Sequence, residues 1–324
     1  MTNTIEEKFK PRPPKEFDFK EIIYEKNYDT WTAKVTINRP EVYNAYSTET
    51  LREMSAAFLD TMYDDGIGVL ILTGAGEKSF GTGGDVKEYS RIFTQRPRDY
   101  FKWMSLFIEA HDRFRNIGKP TIARINGIVA GGGNEWNLAC DLAIMADHAT
   151  IRQVGTRVGS VAAGGATQWL PIMVGDRRAR EILFLNEPIS ADKCLDWGLV
   201  NEVVPYSELD AACAKMAAKL VEKFPECARY TKEQVNYWKN LSWSQSIGSA
   251  KEWLTLHYTS WEPYEGMTAF VEKRKPDYMK IREAARDGGS SEFMWGPPAK
   301  ECSACGTKGI PNEFKFCGVC GKEL

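Results

Sequence analysis

Strand-like apolar runs alternating with helical stretches constrain this chain more than any other feature. Val69-Leu70-Ile71-Leu72-Thr73 is apolar on both sides, so as a strand it has to be covered on both faces. The stretch before it, Thr48 to Asp64, carries Leu51, Met54, Phe58 and Met62 at helical spacing. Ser47 and Thr48 are placed to cap it, and Glu49 falls in its first turn. Strand, helix and strand recur at Pro120 to Asn126, Asn134 to Cys140 and Asp141 to Ala146. A repeating β-β-α unit with parallel strands accounts for this order better than an all-helical or all-β domain. Upstream, Ile22 to Lys26 and Thr32 to Ile37 read as a hairpin turning at Asn27-Tyr28-Asp29, and residues 165 to 240 read as mostly helical.

With 324 residues, 43% of them hydrophobic, the chain can bury one large core and carry a small appendage. Its 42 basic and 44 acidic side chains give a formal charge of −2, so no global field draws it to nucleic acid or membrane. The start, Met-Thr-Asn-Thr-Ile-Glu-Glu-Lys, lacks an apolar signal core, and a cytoplasmic location is expected. Residues 1–18, polar and bearing Pro11, Pro13 and Pro14, suit an extended arm. Residues 19–284 form the main domain. Gly, Ser and Pro then mark 285–300 as a linker, and a compact unit is expected at 301–324.

That last unit holds Cys302-x2-Cys305 and Cys317-x2-Cys320, eleven residues apart. Two close thiol pairs at this spacing point to a structural, tetrahedral zinc in a four-cysteine zinc ribbon, with disulfides or a redox iron as the alternatives. Gly306 and Gly321 each follow the second cysteine of a pair, where the turn needs a positive φ, and Phe314 and Phe316 are the expected core. Between 299 and 324, four lysines against three glutamates are too weak a basic footprint for a phosphate backbone, so a protein-docking role is expected instead. Cys140, Cys194, Cys213 and Cys227 lie in apolar or helical contexts and read as buried thiols.

Two glycine-rich strand exits carry the chemistry. Gly131-Gly132-Gly133-Asn134-Glu135 places three glycines and a carboxylate at a loop-to-helix junction, where free N–H groups can face negative charge beside a general acid or base. Gly81-Thr82-Gly83-Gly84-Asp85-Val86-Lys87 is the second exit. One N–H from each suits the enolate oxygen that forms as charge moves onto a thioester carbonyl. The alternative is that the glycines only pack a helix on a strand and Glu135 only partners a helix dipole. His111, His148 and His257 show no metal or triad spacing, although His257 stands beside Tyr258.

From about residue 20 to 280 the chain resembles the crotonase (enoyl-CoA hydratase) superfamily. The likeness rests on Asn38-Arg39-Pro40, Asn44-Ala45, the Gly81–Lys87 and Gly131–Glu135 segments, Cys140-Asp141-Leu142 and Gly198-Leu199-Val200-Asn201-Glu202-Val203-Val204. It implies an α/β spiral of β-β-α repeats with C-terminal helices, a homo-trimer or homo-hexamer, and an acyl-CoA thioester as substrate, with no redox cofactor. It also implies an oxyanion hole from the N–H groups of Gly84 and Gly132. Glu135 falls on the first of the hydratases' two catalytic glutamates, and Gly155 stands at the second. A glycine there, with Val158-Gly159-Ser160 and a Tyr258 upstream of Phe270 to Tyr278, resembles instead the branch containing dihydroxynaphthoyl-CoA synthase and ketocyclohexanecarboxyl-CoA hydrolase. Ala162 departs from that branch, which has aspartate there. Gly159 to Thr167 and Gly81 to Tyr89 look closest to the ring-opening 6-oxocyclohex-1-ene-1-carbonyl-CoA hydrolases, which lack the cysteine unit.

The resemblance therefore implies hydrolytic opening of an alicyclic ring, with Glu135 as base, Gly84 and Gly132 holding the enolate, and Ser160 and Tyr258 on the ring ketone or supplying the final proton. Tyr258 lies on a helix expected to reach a neighbouring subunit. Lys87, Lys273 and Arg274 are placed for CoA phosphates; Tyr89, on an expected mobile loop, joins Gly155 and Phe270 as further substrate contacts. Hydration of a cyclic dienoyl-CoA by Glu135 alone is the competing activity. A non-enzymatic scaffold, recruiting a partner through its ribbon, is the third reading.

Overall fold

The computed structural model describes residues 9–94, 96–288, 299–311 and 314–324. Residues 1–8 of the expected arm and 289–298 of the expected linker lie outside the described residues.

β1 (Ile22–Asn27) and β2 (Thr32–Ile37) form the expected hairpin, with Ile22 opposite Ile37 and Asn27 opposite Thr32. The Asn27 side-chain oxygen accepts from the N–H groups of Asp29 at 3.0 Å and Thr30 at 3.1 Å, which is how an asparagine at this position turns a chain. β2 then runs parallel to β3 (Val69–Gly74), and β5 (Thr121–Ile125), β7 (Leu142–Ala146) and β10 (Glu202–Val204) continue the sheet in parallel. A second sheet joins β4 (Ser79–Gly81), β6 (Ile128–Ala130) and β8 (Thr150–Arg152) in parallel and ends on antiparallel β9 (Ile189–Ser190).

Each turn of the chain thus lays one strand in each sheet, β3 with β4, β5 with β6 and β7 with β8, before one or two helices lead to the next turn. This is the α/β spiral of β-β-α repeats. Every residue of β5 is buried, as a strand covered on both faces requires. The 165–240 region differs from its mostly helical reading at β9 and β10. Val203 and Val204 favour extended backbone, and β10 finds the open edge of β7, pairing Glu202 with Ile144 and Val204 with Ala146.

Helix Thr48–Tyr63 starts on a reciprocal cap: Ser47 Oγ accepts from the Thr50 N–H at 3.1 Å, and Thr50 Oγ1 accepts from the Ser47 N–H at 2.9 Å. Its inward face packs on helix Pro97–Arg115, with the Phe58 and Phe114 rings 4.8 Å apart. Residues 12 to 22 lie against the same helix: the Arg12 N–H donates to Asp60 at 2.7 Å, and Glu53 accepts from Lys20, Glu21 and Ile22. Helix Tyr278–Arg286 runs two residues into the segment read as linker. No helix among the described residues is long and apolar enough to cross a membrane.

At the C-terminal end, two-residue strands β11 (Ala299–Lys300) and β12 (Ile310–Pro311) pair antiparallel. Gly306 and Gly321 adopt φ of 71° and 73°, as their positions after the cysteine pairs require. The expected aromatic core is absent. Phe314 and Phe316 are 50% and 58% exposed, and the buried centre is Cys302, Ile310 and Cys317 with Leu324 packed on it. In so small a unit the converging sulfurs take the middle and leave no room for rings.

Candidate active site

Helix Gly132–Ala139 begins where β6 ends, and Gly131 makes the turn with φ of 52°. Gly132 is its first residue, so the Gly132 N–H has no intrahelical acceptor. At the other exit, the Tyr46 N–H donates to the Gly83 carbonyl and the Asp85 N–H to the Tyr46 carbonyl, both at 2.9 Å, which steps over the Gly84 N–H and leaves it outside the ladder. The exits meet: a Cβ on Gly83 would stand 2.9 Å from the Gly132 nitrogen, and one on Gly133 only 1.9 Å from the Gly81 carbonyl oxygen. Backbone lies on backbone here, which only glycine permits.

A cavity of about 700 Å³ opens at this junction. Gly84, Gly132, Glu135, Ser160 and Tyr258 all border it, as do Lys87, Tyr89, Gly155 and Phe270. Lys273 does not; it is exposed, in left-handed backbone (φ 56°) beyond helix Trp261–Val271. Arg274 is engaged by Glu265 at 2.9 Å and Glu272 at 2.6 Å, so its fork is already filled. Tyr258 reaches the cavity of its own chain, 1% exposed at the end of helix Tyr237–His257. Tyr89 is not on a loop. Asp85 caps a short helix, and residues 89–93 continue it as a π-helical turn that buries Tyr89 against Trp103, ring centres 5.0 Å apart.

Glu135, 6% exposed, accepts from the Gly164 N–H at 2.8 Å and the Ala166 N–H at 3.5 Å. Burial pushes its pKa up to about 7 against the opposing pull of those two N–H groups. The carboxyl is thereby poised between its two protonation states near neutrality. Asp85 is paired with Arg39 at 2.9 Å, and Glu41 is exposed, so Glu135 is the one fully buried carboxylate on the cavity wall among the described residues. Four tyrosines surround it. Burial holds Tyr46, Tyr89, Tyr100 and Tyr258 in the protonated form, and the negative charge of Glu135 further opposes loss of each proton. Tyr46 and Tyr89 also explain two glycines, because a Cβ on Gly132 would meet the Tyr46 hydroxyl at 1.9 Å and one on Gly84 the Tyr89 hydroxyl at 1.7 Å. Ser160 Oγ lies 3.3 Å from the Tyr258 hydroxyl, and the Tyr258 ring stacks on Tyr100 at 3.8 Å.

Tyr46, Tyr100, Trp103 and Phe107 were not among the residues singled out by sequence. The last three occupy successive turns of helix Pro97–Arg115, stacked with Trp103 at 5.8 Å from Tyr100 and 5.5 Å from Phe107. Their helical spacing was the available signal, and it is the same signal an ordinary core face gives. Of the histidines, His111 is fully buried, stacked on Trp136 at 3.8 Å, and burial followed by the nearby Arg115 pushes its pKa well down. His257 is 3.9 Å from Glu262 and does not border the cavity.

The four cysteine sulfurs of residues 302, 305, 317 and 320 lie within 4.8 Å of one another. Tetrahedral zinc, with bonds of about 2.3 Å, sets sulfurs roughly 3.8 Å apart. The observed separations of 3.6 Å for Cys302 to Cys320 and for Cys305 to Cys317 suit a four-sulfur metal site.

A β-β-α spiral whose two glycine exits meet at a cavity bordered by a buried carboxylate defines a site able to hold a developing oxyanion beside an acid or base. The enoyl-CoA hydratase/isomerase family model matches residues 29–281, and the chain belongs to that family. An enoyl-CoA hydratase/isomerase from Xanthobacter autotrophicus Py2 is similar with a TM-score of 0.69 and 28% identity, over 84% of this chain and 94% of its own. An enoyl-CoA hydratase from Bacillus anthracis shares 30% identity at a TM-score of 0.64, over 80% and 99%. An enoyl-CoA hydratase from Mycobacterium avium subsp. paratuberculosis K-10 has a TM-score of 0.72 at 24% identity, over 80% and 98%, a likeness of fold.

Proposed function

We propose that the protein is a ring-opening C–C hydrolase acting on an alicyclic oxoacyl-CoA or oxo-enoyl-CoA in the anaerobic degradation of aromatic or alicyclic compounds, as a cytoplasmic homo-trimer or homo-hexamer. The observation that carries this reading is the solitary carboxylate. Burial pushes the pKa of Glu135 up to about 7 and, among the described residues, no second buried carboxylate lines the cavity, which Gly155 also borders. The stacked face of Tyr100, Trp103 and Phe107 is suited to a flat ring.

In this mechanism Glu135 takes a proton from water as the water oxygen adds to the ring carbonyl carbon β to the thioester. The bond from that carbon to the thioester α carbon then breaks, and its electron pair becomes an enolate whose oxygen sits between the Gly84 and Gly132 N–H groups. Each such donor is worth about 3 kcal/mol of transition-state stabilisation. Ser160 and Tyr258 hold the ring oxygen, and the proton on Glu135 returns to the α carbon. The new carboxylic acid loses its proton to solvent. The sum is one water consumed and one carboxylate formed.

Hydration of a cyclic dienoyl-CoA by Glu135 alone is the second reading, favoured by the hydratase names of the related structures. Incubation with 2-oxocyclohexane-1-carbonyl-CoA separates the two, because that ester has no ring double bond to hydrate. A product heavier by one water, yielding a dicarboxylate after thioester cleavage, supports ring opening; turnover of the dienoyl ester alone overturns it.

We further propose that Cys302, Cys305, Cys317 and Cys320 hold a structural zinc. Four thiolates would complete its coordination and leave no open position for substrate, and the metal would organise a unit whose apolar centre is too small to fold alone. A protein-docking role for the ribbon goes with this reading.

A further inference from the structure

Three cations border the cavity: Lys87, Arg152 and Arg157. Lys87 and Arg157 are exposed, whereas Arg152 is half-buried and its Nε is shut off from solvent without a hydrogen-bond acceptor. Arg152 forms no ion pair among the described residues. The Nε is closed to a ligand as well, but the two Nη groups are not enclosed in the same way and have no acceptor in the protein among the described residues, so they remain available to a ligand in the cavity.

The backbone fixes where this group stands. Arg152 is the last residue of β8 and pairs with Ala130 on β6. Side chains alternate along a strand, so Ile128, Ala130 and Arg152 share the face that borders the cavity, while Val129 and Ile151 point the other way and are fully buried. Ala130, with only a methyl group, leaves room beside the guanidinium. Beyond Ala130 and Gly131 the chain enters the helix that carries Glu135, so base and guanidinium border one cavity from adjacent strands of one sheet. They do not neutralise each other. Burial and two N–H groups set the proton affinity of Glu135, and no cation lowers it. The fork of Arg152 is therefore free, and its geometry matches a carboxylate.

We propose that Arg152 is the subsite for a carboxylate at the far end of the acyl group, so that the molecule this site releases is an ω-carboxyacyl thioester. The link to the product rests on the ring-opening reading, in which the attacked ketone carbon becomes that carboxylate.

Calorimetric titration of the whole protein with pimeloyl-CoA and heptanoyl-CoA, equal in chain length and differing in the terminal carboxylate, tests the assignment. The wild type is expected to bind the carboxylate-ended ester about tenfold more tightly or better, the scale of one charge-assisted pair. Arg152→Gln is expected to erase that preference while still binding heptanoyl-CoA, and Arg152→Lys to keep part of it. Equal binding of the two esters by the wild type, or an unchanged preference in Arg152→Gln, overturns the proposal. A changed subunit number in Arg152→Gln by light scattering also overturns it, by assigning the side chain to a subunit contact. If the preference holds and 2-oxocyclohexane-1-carbonyl-CoA is not opened, the Arg152 subsite stands and the hydrolase reading falls.

Discussion

Glu135 is 6% exposed, and burial raises its pKa from 4.5 to about 7. The folded protein therefore holds this proton more tightly than the unfolded chain. The sign follows: the carboxyl costs nothing below pH 4.5, where both states are protonated, and its cost grows until pH passes about 7. A gap that wide corresponds to roughly 3 kcal/mol at most. Glu135→Gln is thus expected to lower kcat by about 10²-fold or more. The same variant should melt at a higher temperature than the wild type at pH 8.5, with the difference vanishing below pH 4.5; thermal scans at both pH values check this. For the wild type, kcat/KM should rise with pH and level off above about 7, because the base must be ionised to accept a proton from water. That the two glycine exits and Glu135 would border one cavity was legible through the family resemblance, because a glycine run before a lone acid can equally pack a helix on a strand. Tyr46, Tyr100, Trp103 and Phe107 were not, because an aromatic at core spacing carries no sign of whether it faces packing or a cavity. Arg152 was equally silent: a cation on a short strand becomes informative only when it is seen to border the cavity without a partner among the described residues.

Among the elements, helix Gly132–Ala139 places the carboxylate by pressing against the exit of β4. A Cβ on Gly133 would lie 1.9 Å from the Gly81 carbonyl oxygen and 2.5 Å from its carbon, so main chain would have to move. Gly133→Ala is expected to cost about 3 kcal/mol or more, at or beyond the upper end of what overpacking usually costs, and to misplace Glu135. Gly248, inside helix Tyr237–His257, meets nothing within 4 Å, and Gly248→Ala should stabilise by about 0.5–1 kcal/mol. Urea denaturation of the two variants against wild type reads both signs; equal effects would mean that the helix is not held by backbone contact. The buried strands and the hairpin were legible because apolar continuity and the Asn27 turn are local signals. β9 and β10 were hidden within a helical stretch because two- and three-residue strands acquire their pairing from partners distant in sequence, as Val203 does from Met145. Phe314 and Phe316 misled for a related reason, since apolarity alone says nothing about a core that sulfur fills.

Across the whole molecule, the apolar core of the main domain and that of the C-terminal unit share no residue. The main domain buries Trp136, Phe58 and Leu70 among many others, whereas the small unit has, among the described residues, one buried aliphatic side chain, Ile310, beside Cys302 and Cys317. Stability of the first rests on area removed from water, and that of the second would rest on the metal proposed for its four sulfurs. A chelator strong enough to compete for a four-thiolate site should then release one zinc per chain and disorder only residues 301–324, leaving the main unfolding transition in place. Cys302→Ser should likewise lower bound zinc, read by metal analysis, while turnover of a cyclic acyl-CoA stays within about twofold, because a closed four-sulfur site offers the substrate no position. Activity that falls in step with zinc content would contradict this separation and make the ribbon part of the working assembly. In that event Glu135→Gln and Cys302→Ser would differ in what they abolish: the first would leave subunit number and partner capture intact, and the second would not.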